Sequence, residues 1–280
     1  MLVDGHQHFW QWSKGWFSRP EPVLSRDYLP MDLEPILKSH GISKTIVVQT
    51  SPTPAETDFL LELAEKSGFI GGIVGWLDME SPKFPEEIEQ YRRKPYFLGM
   101  RPMLECLEEN DWVLRPKVMD SLSLVAETSV AFDFLTHTRH LPYVLKVLER
   151  IPKLRAVIDH LGKPEIRAGR MQPWRDLMSE VGLHPNVYCK LSGMVTEADY
   201  QNWDLEQLRP YADHVIEHFG PGRVMFGSDW PVCLLAASYE QVWSVARTLV
   251  RNRLGEGGEA AIFGGNATRF YRLESPRQPF

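Results

Sequence analysis

Asp4, His6 and His8 alternate with Gly5 and Gln7 at the start of the chain. Side chains of an extended segment project to the same side at every second position, so this spacing predicts three polar groups on one face. Paired imidazoles at a strand end bind a metal or polarise a carbonyl. An HxH pair is also ordinary loop chemistry, so its weight depends on where the fold puts it. A third histidine, His160, closes the run RAVIDH, where apolar residues give way abruptly to Asp159 and His160. Polar groups at such a boundary need partners or a purpose. The plainer role for His160 is a core or capping histidine bonded to a carbonyl. Asp229, in VMFGSDWPV, adds a carboxylate after a similar apolar run. Two histidines with Asp229 suffice to hold one zinc ion with a position left for water.

Two cations stand at comparable places. Arg101 ends the run FLGMR and offers a planar donor fork suited to a carboxylate or to vicinal hydroxyls, with a structural salt bridge as its simpler role. Lys190 lies inside the run VYCKL, where a lysine is paired or functional if it points inward and a snorkelling residue if it points outward. Aromatic residues gather nearby: Trp10, Trp12, Trp16 and Phe17 early in the chain, Trp112 later, and Trp230 directly after Asp229. Their faces suit the apolar side of a sugar ring or the core of a lid. Cys106, Cys189 and Cys233 have no base at a recognisable spacing and read as structural.

The elements that must position these groups are legible as eight short apolar runs: Met1–Asp4, Thr45–Gln49, Ile70–Trp76, Phe97–Arg101, Val130–Leu135, Arg155–Asp159, Val187–Leu191 and Val224–Phe226. Helical spacing of apolar residues intervenes over Leu33–Ser39, Thr57–Lys66, Ser121–Glu127, Tyr143–Arg150, Trp174–Val181, Leu205–Phe219 and Tyr239–Arg251. Near-continuous hydrophobic strands, each followed by a helix, require a parallel sheet covered by helices. Eight such units, with no GxGxxG after the first strand, predict a single-domain α/β (β/α)8 barrel over residues 1–280. The first and eighth strands of a closed barrel are neighbours, which brings His6, His8 and Asp229 together. Insertions at 9–30 and 102–117 follow the first and fourth strands and should build the active-site face, the first as a lid. Asn266, in GGNATRFY, reads as a tie for the last helix.

Thirty-one basic and thirty-seven acidic side chains in 280 residues give a net charge of −6, which offers no field for nucleic acid or an anionic membrane. Three scattered cysteines, the absence of a basic-then-apolar leader at the start, and the lack of an 18-residue apolar stretch predict a soluble cytoplasmic protein.

Six segments carry a resemblance: DGHQHFW at 4–10, GMRPMLE at 99–105, VIDHLGKP at 157–164, CKLSGMVTEA at 189–198, FGSDWPV at 226–232 and FGGNATRFY at 263–271. In this order they resemble the amidohydrolase superfamily, in the amidohydrolase-2 branch of sugar lactonases and pyrone-dicarboxylate lactonases, and most of all its L-fuconolactonase- and L-rhamnonolactonase-like subgroup. The resemblance implies a sugar lactone hydrolase with a small-molecule substrate. By it, His6, His8, His160 and Asp229 are the active-site set, with Asp229 as base toward water and the histidines, or a metal they hold, polarising the carbonyl. Arg101 and Lys190 then look like substrate contacts, and no organic cofactor is implied; Trp112 and Trp230, by their aromatic faces, and His137, as a substrate contact or a loop histidine, are further candidates. The bridging lysine of binuclear members is missing, because the fourth strand ends in Arg101. A single divalent ion on His6, His8 and Asp229, zinc by ligand type, and catalysis without metal both stay open, as does the oligomeric state. So do a metal-dependent decarboxylase, a pyrone-dicarboxylate or muconolactone-type lactonase, a lactone isomerase on the same scaffold, and a non-catalytic barrel that binds a sugar acid.

Overall fold

The structure, a computed structural model, describes residues 1–17 and 21–273; residues 18–20 of the first insertion lie outside the described residues. Eight parallel strands follow in order around one sheet: β1 Leu2–Gln7, β2 Ile42–Val48, β3 Ile70–Gly75, β4 Phe97–Met100, β5 Ala131–Phe134, β6 Ala156–Ile158, β7 Val187–Leu191 and β8 Val224–Phe226. Closure between β8 and β1 is made just beyond the strands, where His8 N–H donates to Trp230 O at 2.7 Å and Asp229 N–H to His6 O at 2.9 Å. The protein is a single-domain (β/α)8 barrel.

The helices are α1 Pro30–Ser39, α2 Pro54–Lys66, α3 Phe84–Tyr91, α4 Pro116–Ala126, α5 Leu141–Arg150, α6 Trp174–Gly182, α7 Met194–Glu197, α8 Leu205–Phe219, α9 Tyr239–Ala260 and α10 Asn266–Phe270. Proline stands at the first or second position of α1 to α5, where its missing N–H costs nothing and its fixed φ is already helical. Helix α3 was absent from the sequence expectation. Its segment FPEEIEQY has only Phe84, Ile88 and Tyr91 to bury, a pattern too short to read.

Two apolar layers separate cleanly. Outward residues such as Val47, Ile73, Phe132, Phe134, Ile158 and Phe226 pack under the helices. Inward residues Val3, Ile46, Val48, Val74, Ala131, Val157 and Met225 fill the lower barrel and are capped by Ala267, Phe270 and Tyr271 of α10 and its end. Asn266 Nδ2 donates to Val224 O and Pro221 O, which ties this plug to the start of β8. Among the described residues no helix is long and apolar enough to cross a membrane.

Candidate active site

Above the apolar plug the inward positions turn polar. His6 lies in β1, His8 just past it, His160 just past β6 and Asp229 just past β8, and none is more than 4% exposed. His8 Nε2 is 3.2 Å from His6 Nε2 and 3.1 Å from Asp229 Oδ1, which is 3.7 Å from His6 Nε2. His160 completes the cluster, its Nε2 3.9 Å from Asp229 Oδ1 and its ring centroid 4.5 Å from that of His6. Asp4, expected on their face, does not join them. A register irregularity between Asp4 and Gln7 breaks the alternation, and Asp4 instead accepts from Ser228 N–H and from the Tyr239 hydroxyl of α9.

Holding the cluster strains the backbone. His160, Leu161, Lys163 and Asp229 have φ between 48° and 57°, a region L-residues seldom occupy unless their surroundings impose it. Glycine makes room for the rings. A Cβ on Gly193 would lie 2.8 Å from the His160 ring, and one on Gly227 would lie 2.6 Å from His6 Cβ.

The floor of the site is a buried network of charges. Lys190 Nζ contacts Asp133 Oδ2 at 2.5 Å, Asp159 Oδ1 at 3.0 Å and His6 Nδ1 at 3.0 Å. Arg101 donates to Asp159 Oδ2 at 3.2 Å and to Gln49 O, while its buried Nε has no hydrogen-bond partner among the described residues. Burial and the Lys190 charge hold His6 well below the ordinary histidine value, and burial outweighs Asp229 and Asp159 to bring His160 down to about 4. Both rings are neutral at pH 7. Burial works to raise Asp229, but the surrounding histidines outweigh it and keep the carboxylate ionised.

The cluster opens into a cavity with an outer compartment of about 380 Å³, within the range of small-ligand sites. Phe17, Thr50, Arg101, Met103 and Leu135 line its inner part; Cys106, His137, Thr196, Glu197 and Tyr200 line the outer; His160, Lys163, Glu105 and Asp229 line both. Lys163 is paired with Glu105 and stands 3.9 Å from Glu197.

The sequence-derived substrate contacts divide accordingly. Arg101 reaches the inner cavity and His137 the outer rim, with its Nε2 3.9 Å from Glu105. Lys190 is fully buried in the floor and lines neither compartment, so the substrate-contact expectation is corrected: a substrate cannot touch it. Trp112 donates to Glu80 away from the cavity, and Trp230 packs edge-on against Phe9 and Tyr28. Trp10 is buried and stacks on Phe17 at 4.2 Å, and Phe17 lines the cavity. Asp133, Glu105 and Lys163 escaped the sequence reading. An acid inside the apolar run AFDF was the available signal for Asp133; Glu105 and Lys163 sat unremarked inside matching motifs.

The donor set accommodates a divalent cation. His8 Nδ1 is 2.7 Å from Val48 O, and because a carbonyl only accepts, Nδ1 carries a hydrogen; with Nδ1 so engaged, Nε2 is the atom His8 offers to a cation beside the Asp229 carboxylate. Tetrahedral zinc with ligands at about 2.0–2.2 Å separates neighbouring donors by roughly 3.3–3.5 Å, close to the 3.1, 3.2 and 3.7 Å among His6, His8 and Asp229.

Residues 3–273 match the family described as amidohydrolase. The chain belongs to the amidohydrolase family. Among its amidohydrolase relatives, a Burkholderia ambifaria protein named L-fucono-1,5-lactonase is 41% identical over 280 residues, covering 98% of this chain and 96% of the relative. A Burkholderia multivorans protein of the same name is 36% identical, covering 99% and 97%. The crystal structure of a Burkholderia multivorans amidohydrolase with bound zinc superposes with a TM-score of 0.93 at 35% identity, covering 98% of this chain and 99% of that one.

Proposed function

We propose that this chain hydrolyses an uncharged sugar lactone, an aldonolactone of the L-fucono- or L-rhamnono-lactone kind, to its sugar acid. The observation that carries the reading is the convergence of Asp229, His160, His6 and His8 at the base of a ligand-sized cavity. The relatedness to two proteins named L-fucono-1,5-lactonase supports the substrate class.

In this mechanism Asp229 takes a proton from water as the water oxygen attacks the lactone carbonyl carbon. Negative charge gathers on the carbonyl oxygen. Neutral His160, whose Nδ1 is 2.8 Å from Ser192 Oγ, meets it with Nε2–H in the tautomer in which the serine hydroxyl donates to Nδ1. Collapse of the tetrahedral intermediate breaks the ring C–O bond, and Asp229 returns its proton to the departing oxygen. His6, His8 and Asp229 would hold a divalent cation, zinc by donor type, which supplies Lewis acidity and a more acidic water when bound.

Charge favours a neutral ring over a dicarboxylate. Arg101 is paired with Asp159 and Lys163 with Glu105, while Glu197 and Asp229 add negative charge to the cavity. Cys106, Cys189 and Cys233 form no disulfide, which suits a cytoplasmic setting.

The test is proton release from L-fucono-, L-rhamnono-, L-galactono- and D-arabinono-lactones and from a pyrone dicarboxylate. The expected result is a preference of about a hundred-fold or more in kcat/KM for an uncharged sugar lactone. Silence on every sugar lactone, or preference for the dicarboxylate, overturns the reading.

A further inference from the structure

Lys190 has no access to the cavity, yet it is one bond away from the chemistry. An ammonium has only N–H donors and no lone pair; Lys190 Nζ donates to Asp133 Oδ2, lies 3.0 Å from His6 Nδ1 within hydrogen-bond reach, and is ion-paired with Asp159 Oδ1 at 3.0 Å. His6 Nδ1 must therefore accept. A neutral imidazole has a single N–H, so the hydrogen of His6 sits on Nε2, which lies 3.2 Å from His8 Nε2. Asp159 Oδ1, the acceptor that would otherwise favour a hydrogen on Nδ1, lies farther at 3.5 Å and is ion-paired with Lys190 at 3.0 Å, while Arg101 donates to Oδ2. Lys190 is itself fixed from below, because Asp133 Oδ2 also accepts from the buried Tyr271 hydroxyl at 3.0 Å.

We propose that Lys190 is a positioning residue that selects the tautomer of His6, keeping the N–H on Nε2 toward the site and so weakening the grip of His6 on a divalent cation. A metal ligand must present a lone pair at Nε2, which moves the hydrogen to Nδ1, 3.0 Å from the ammonium. Two donors then face each other, and either Lys190 is displaced or the cation is held less tightly. The lysine thus keeps His6 a hydrogen-bond donor and sets how readily the site takes up metal.

The test needs no substrate, so it stands or falls separately from the lactonase reading. Metal-free protein labelled with 15N-histidine is examined by NMR, with His6→Gln assigning the resonance. The expected spectrum has the hydrogen of His6 on Nε2. The double substitution Lys190→Met with Asp133→Asn removes one positive and one negative charge together. It should move the hydrogen to Nδ1 and tighten binding of zinc alone, read by competition with a chromogenic chelator, by about ten-fold or more. A parent His6 with its hydrogen on Nδ1 overturns the proposal. So does a folded double variant that keeps the parent tautomer or binds zinc no more tightly. Should circular dichroism show the double variant unfolded, the parent spectrum alone decides.

Discussion

Asp229 carries two burdens at once, a left-handed backbone and a carboxylate turned toward three imidazoles. Replacing it with asparagine keeps the shape and removes the base. Asp229→Asn should lower kcat on the preferred lactone by about a thousand-fold while inhibition by the product acid stays within a few-fold, both read by steady-state kinetics. Equal loss of inhibition would assign Asp229 to binding. At this scale His6, His8, His160 and Asp229 were legible because each interrupts an apolar run at its end. Lys190 was half legible: its oddity in VYCKL was visible, but its partners Asp133 and His6 sit on two other strands and Asp159 just past a third. Pairing across a barrel has no signature in a single chain. Asp4 misled for a local reason, since period-two alternation assumes an uninterrupted strand and β1 is irregular at that point.

Eight strands and seven of the helices were visible at the scale of elements because a parallel sheet buried on both faces needs near-continuous apolar runs. Boundaries were less visible. The expectation began α1, α2 and α4 at Leu33, Thr57 and Ser121, whereas the chain enters them at Pro30, Pro54 and Pro116. Between β7 and α7, Gly193 joins a φ of +66° to close contact with the His160 ring. Gly193→Ala should therefore cost about 1–3 kcal/mol and cut kcat about ten-fold or more by displacing the ring. Urea denaturation and kinetics measure the two effects. Unchanged values in both would show that the loop yields freely.

The whole molecule should lose stability in acid through histidines it buries neutral. His140, at the start of α5, accepts from His137 N–H at 3.0 Å, and its buried Nε2 has no hydrogen-bond partner among the described residues. Burial, with Arg139 and His137, lowers it from 6.5 to about 4. Between those values the unfolded chain binds a proton that the folded one refuses, so this contribution is present above 6.5 and is lost as the pH falls toward 4. Between pH 7 and pH 5 the parent should lose about 2 kcal/mol more than His140→Asn, read by urea denaturation at each pH. Parallel losses would exclude His140 as a source of the acid sensitivity.

The plug at the base of the barrel also sets an order of assembly. Phe270 and Tyr271 are synthesised after all eight strands, and until they dock, Val3, Ile46, Val74, Ala131, Val157 and Met225 form an uncovered oily ring. Asp133 meanwhile lacks the Tyr271 hydroxyl that steadies it under Lys190. A nascent chain halted before residue 266 would thus present both a sticky end for chaperones to cover and an unfinished catalytic floor.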